Sequence, residues 1–89
     1  MTDDKVVLDT QIFSALSSDT RINILKKLDS KRMALKKLCN ELNLPKSTIR
    51  ENLTVLIESD LVRKKNICIK WVYYELTEKG KGMLHPHEQ

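Results

Sequence analysis

A mainly α fold with a small β-hairpin (α+β) is what the sequence predicts, and three observations carry that prediction. Two apolar series of helical period, Leu35, Leu38, Cys39, Leu42 and then Ile49, Leu53, Leu56, meet across a short break at Asn43, Leu44 and Pro45. Further on, Ile67 to Leu76 is dense in β-branched and aromatic residues and holds Trp71, Tyr73 and Tyr74. Between the two regions, Leu61, Val62 and the basic run Arg63, Lys64, Lys65 read as a first strand that turns near Asn66. A helix pair is thus followed by a hairpin.

Taken in order, the chain opens with an arm over residues 1–8, polar at first and ending in Val6, Val7 and Leu8. The residues from 9 to 84 form one domain, and 85–89 form a tail. From Asp9, the spacing of Ile12, Phe13 and Leu16 gives a helix of about two turns ending near Ser17. Ser18 or Asp19 caps the next helix, in which Ile22, Leu25 and Leu28 point inward with Ile24 alongside, and which stops near Asp29 and Ser30. Lys31 to Ala34 is a connection short enough to pair as a single strand with the hairpin.

The helix from Leu35 to Leu42 ends where Asn43 tolerates a left-handed backbone, and Pro45 suits the first turn of its successor, where a missing N–H costs nothing. Two helices joined by so tight a corner, with Lys46, Ser47 and Thr48 crowded at the start of the second, make a helix-turn-helix. Its recognition helix covers 45–59. The wing covers 61–76, with Val72, Tyr74 and Leu76 on one face of the return strand and Ile67, Ile69, Trp71 and Tyr73 on the other. Thr77 then caps a short helix that runs to Leu84, contains Gly80 and Gly82, and is closed by Pro86. The arrangement is a winged helix-turn-helix, a three-helix core plus a two-stranded wing.

Composition narrows the function. With 89 residues, 40% apolar and 31% charged, the chain supports one modest core. No apolar run approaches the roughly 20 residues that cross a bilayer, and the acidic start is unlike a signal peptide, so a cytosolic protein with no membrane partner is expected. The net charge of +4 is unevenly spread: residues 1–30 hold four Lys and Arg against five Asp and Glu, while 31–89 hold twelve against seven. The half with the motif therefore suits an acidic polymer. Cys39 and Cys68 lack metal-ligand spacing, and Cys39 falls on an apolar helix face where a small side chain lets helices approach. With histidine confined to His85 and His87, no metal or cofactor site is expected. No nucleophile with a base partner, Gly-rich phosphate loop or small-molecule site is visible, so no enzyme activity is expected either.

In its motifs the sequence resembles the ArsR/MarR-type winged helix-turn-helix transcriptional regulators of bacteria and archaea. The resemblance covers roughly residues 12–84 and rests on four pieces in order. Ala15 to Arg21 with Ile24 and Leu25 match the family's second core helix, and Leu38 to Leu44 its positioning helix. Ser47, Thr48, Ile49, Leu53, Val55, Leu56, Leu61 and Val62 match the recognition helix and first wing strand, and Tyr74 to Gly80 the segment after the wing. Asn43 and Asp60 stand where glycine is frequent, but both types tolerate left-handed backbone. Glu51 stands where a basic or polar residue is usual. The paired cysteines of metal-sensing members and the long terminal dimerisation helix are absent from this sequence.

The resemblance implies double-stranded DNA as partner and a homodimer as the binding form. The start of the recognition helix would enter the major groove, with Lys46, Ser47 and Thr48 on phosphate and Arg50 and Asn52 on base edges, arginine suiting guanine and asparagine adenine. Arg63, Lys64, Lys65 and Lys70 on the wing would touch the adjacent backbone or minor groove. Glu51 repels phosphate but can accept from a cytosine amino group. An alternative is a protein-interaction module that docks through the aromatic strand, its basic surface incidental. In either case the face of Ile67, Ile69, Trp71 and Tyr73, or the end holding Val6 and Phe13, offers a surface for a partner.

Overall fold

A computed structural model describes residues 16–85. The expected arm, most of the helix from Asp9, and the tail from Pro86 lie outside the described residues. Within them the order is α1 (Asp19–Ser30), α2 (Leu35–Leu42), α3 (Lys46–Glu58), β1 (Val62–Cys68), β2 (Trp71–Leu76) and α4 (Glu78–Leu84).

Local chemistry sets the helix ends. The Ser18 hydroxyl accepts from the Arg21 N–H at 3.5 Å and Asp19 lies in the first turn, so α1 starts on a capped, dipole-matched end. α2 ends at Asn43, whose φ of 57° and ψ of 46° are left-handed, and the Leu44 N–H reaches back to the Cys39 carbonyl at 3.2 Å. Pro45 is the N-cap of α3 rather than its first helical residue. Its ψ of 154° is extended, and its carbonyl takes the Ile49 N–H at 3.1 Å.

Three helices enclose the core with the root of the hairpin. α1 contributes Ile24, Leu25 and Leu28, α2 contributes Leu38, and α3 contributes Ile49, Leu53 and Leu56. Leu61, Val62, Tyr74 and Leu76 close it from the hairpin, with Cys39 partly buried against its edge. Each buried aliphatic side chain is worth about 1.5–3 kcal/mol of transfer free energy, so the helix packing angles are set by this cluster.

The wing is an antiparallel pair in which Val62 opposes Leu76, Lys64 opposes Tyr74 and Asn66 opposes Val72. Its tip differs from the expected one. The strands do not turn near Asn66: β1 continues to Cys68, which opposes Trp71 across a two-residue loop of Ile69 and Lys70, with a bulge at Ile67. The return strand accordingly starts at Trp71, not Ile67. The buried Val62–Leu76 pair fixes this register, because slipping the strands would turn an inward residue to solvent, and one tolerant asparagine cannot outweigh that. Met33 adds a single bridge to β2, exchanging hydrogen bonds with Tyr74 at 3.0 and 2.8 Å, as expected for the connection after α1.

The hairpin root is tied down by Thr77. Its hydroxyl donates to the Asp60 carbonyl at 2.7 Å and accepts from the Gly80 N–H at 3.0 Å, while its own N–H donates to the Leu61 carbonyl at 3.1 Å. Asp60 holds a left-handed φ of 63° at the exit from α3. No helix among the described residues is long and apolar enough to cross a membrane.

Candidate nucleic-acid interface

With Ile49, Leu53 and Leu56 turned into the core, helical geometry sends Lys46, Ser47, Arg50, Glu51 and Thr54 outward, and all five are exposed. Neither Ser47 nor Thr48 caps the helix, since α3 starts on Pro45 with no side-chain cap. The N–H groups of its first turn have no intrahelical acceptor. They sit at the positive end of the dipole beside the Lys46 ammonium, an arrangement that favours a phosphate oxygen. One turn further, Arg50 and Glu51 are both exposed; the Arg50 carbonyl accepts from the Thr54 hydroxyl at 3.0 Å.

Asn52 has a different occupation from the one the sequence suggested. Its Nδ2 donates to the Thr48 carbonyl at 2.7 Å and its Oδ1 accepts from Arg21 Nε at 2.9 Å. The half-buried amide thus joins α1 to α3 through both its ends, and it orients the helix rather than facing outward with Arg50. A second link ties α1 to α2. Glu41 pairs with Lys37 at 3.1 Å and Lys27 at 3.2 Å, and hydrogen bonds from these two ammonium groups hold its carboxyl below the ordinary value. Arg21 and Glu41 escape sequence reading because Arg21 and Lys27 meet their partners across a helix–helix boundary that no local spacing reveals.

The basic wing residues divide by strand face. Arg63 opposes Glu75 and pairs with it at 2.7 Å, and Lys65 Nζ lies 3.9 Å from the same carboxylate. That carboxyl is held below the ordinary value, first by the Arg63 hydrogen bond and then by the Lys65, Arg63 and Arg32 charges. Arg32 itself lies over the Tyr73 ring at 5.0 Å from the centroid. Part of the positive field on this face is therefore answered from within the protein. Lys64 opposes Tyr74 and shares the face that packs towards α3, yet it is exposed where the strand outruns the core. Lys70 occupies the loop at the tip. The structure therefore gathers Lys46, Ser47, Thr48 and Arg50 at one helix start and sets Lys64 and Lys70 along a projecting hairpin.

The helix-turn-helix domain family matches residues 16–65 of the sequence. Among solved structures, the transcriptional regulator HlyU from Vibrio vulnificus is similar with 25% identity and a TM-score of 0.76, covering 99% of this chain and 95% of the other. HlyU from Vibrio cholerae gives 22% and 0.81 over 97% of both chains. An ArsR-like transcriptional regulator from Rhodococcus gives 22% and 0.83, over 97% of this chain and 78% of the other. No curated protein matches the sequence. The backbone is thus that of the ArsR-like winged helix-turn-helix.

Proposed function

The chain belongs to the helix-turn-helix domain family, and from that premise we propose that it is a sequence-specific DNA-binding transcriptional regulator. The observation that carries the reading is the uncapped start of α3, where unsatisfied N–H groups, Lys46, Ser47 and the outward Arg50 form one exposed surface. Placed in the major groove, that surface puts a phosphate on the helix start and the Arg50 fork on a guanine edge, worth about 1–3 kcal/mol of discrimination. Ser47 and Thr48 add hydroxyls to the phosphate contact. Asn52 supports the helix through Arg21 instead of reading a base. Lys64, Lys65, Lys70 and Arg63 supply backbone contacts from the wing, with Lys64 the strongest of them because Glu75 does not face it.

One recognition helix covers too few base pairs to single out a genomic site, so two copies reading half-sites about one helical turn apart complete the specificity. Fluorescence anisotropy against random-sequence duplex DNA at several salt concentrations tests this reading, with the mass in solution recorded alongside. Affinity should fall with a log–log slope of about −3 to −4 per protomer, for three or four phosphate contacts. Absence of binding at low salt would overturn the proposal.

A further inference from the structure

Resting on that DNA-binding reading, we propose that the tip of the wing is an apolar wedge for the minor groove, with Ile69 as the inserted side chain. Ile69 is fully exposed, and it is flanked by Ile67 and Trp71, exposed by 46% and 54%. The hairpin has no use for an isoleucine there. Two-residue loops favour Gly, Asn or Asp with positive φ, since those turns match the strand twist. Neither Ile69 nor Lys70 has positive φ, and the mismatch is taken up by the bulge at Ile67. Nor does the core use it, because the loop lies beyond the last inward pair.

Charge selects the occupant. Residues 61–76 carry Arg63, Lys64, Lys65 and Lys70 against Glu75 alone, a local net of +3. A second copy would bring the same sign, whereas a duplex brings phosphates. Reach agrees with this choice. The seven residues of β1 extend about 20 Å from Val62, and about 17 Å, half a helical turn, separates a major groove from its neighbouring minor groove. That length is enough to span from the groove that takes α3 to the next one. Side chains such as isoleucine, pressed between base steps there, unstack them and bend the duplex.

The test uses the whole chain and duplex DNA carrying a fluorescent base analogue, whose emission rises on unstacking. Trp71, the lone tryptophan, reports burial of the tip independently. Wild-type protein should brighten the analogue and shift Trp71 emission. Ile69→Ala should bind about three- to tenfold more weakly with the salt slope unchanged and leave the analogue dark, and Ile69→Leu should restore both. Equal affinity and equal brightening by Ile69→Ala overturn the wedge, as does a change in the mass of the free protein, which would make a second copy the occupant. If Lys64→Ala weakens binding and lowers the salt slope while Ile69→Ala changes nothing, only the wedge fails. If the wild type does not bind duplex at low salt, both readings fail.

Discussion

Gly80 and Gly82 lie in the same short helix, and the same substitution at each should act in opposite directions. A Cβ on Gly80 would collide with the carbonyl oxygen of Leu61, and it would also stand 3.2 Å from that carbonyl carbon and 3.4 Å from Leu76 Cδ2. The obstacle is backbone, and it is held: the Leu61 carbonyl accepts from the Thr77 N–H, and the Leu61 side chain is fully buried. Neither glycine has positive φ, so the need for glycine is one of space alone. Forcing a methyl into packed backbone costs at least the upper part of the 1–3 kcal/mol range, against about 1 kcal/mol regained in helix propensity. Gly80→Ala should therefore destabilise by about 2 kcal/mol, lowering Tm by about 8–16 °C in a domain of this size. Nothing lies within 4 Å of a Cβ on Gly82, so Gly82→Ala should raise stability by about 0.4–1 kcal/mol. Thermal and urea unfolding of the two variants, measured side by side, decide the matter. A Gly80→Ala protein as stable as the wild type would refute the steric argument.

Other outcomes follow from the interface and its supports. Lys64→Ala should reduce the salt slope of DNA binding by about one unit, and Lys65→Ala by less, because Glu75 already answers part of the Lys65 charge. Asn52→Ala removes the amide that links Arg21 to the Thr48 carbonyl and loosens the helix start, and should cost about 1–2 kcal/mol in urea unfolding while weakening DNA binding without changing its salt slope. Glu41 and Glu75 are held below their ordinary value of 4.5 in the fold, so their stabilisation is complete above that value and is lost as pH falls through the lower folded one. A Glu41→Gln, Glu75→Gln protein should accordingly show a flatter acid limb in a plot of stability against pH, the two proteins converging at low pH.

The helices from Asp19 onward and their corners were legible in the sequence because local rules decide them. Ser18, Asn43 and Thr77 each occupy a terminus where side-chain chemistry or left-handed tolerance leaves few alternatives, and the period of Ile49, Leu53 and Leu56 fixes the buried face of α3. The Met33 bridge was legible too, from the length of the connection. The wing tip was not, because turn propensity at Asn66 is a local signal and the register is set by burial of Val62 against Leu76. The same limit applies to Asn52. Its spacing from Arg50 says nothing of Arg21 on another helix, so the bonds that the Asn52 amide makes to Arg21 and Thr48 could not be read from it. The division of Arg63, Lys64 and Lys65 between two strand faces also follows from strand alternation, but which face meets Glu75 needs the pairing.

Thr77 joins the exit of α3, the end of β2 and the start of α4 within a few ångströms, and so divides the wing into a fixed root and a tip that contributes nothing to the core. The two parts answer to different constraints. Residues at the root can change only in concert with the helices they touch, whereas those from Asn66 to Trp71 can be rewritten without disturbing the fold. On the DNA-binding and wedge readings proposed above, a chain built this way can acquire a new minor-groove preference while its major-groove reader stays as it was, so the two halves of its sequence recognition are open to independent redesign.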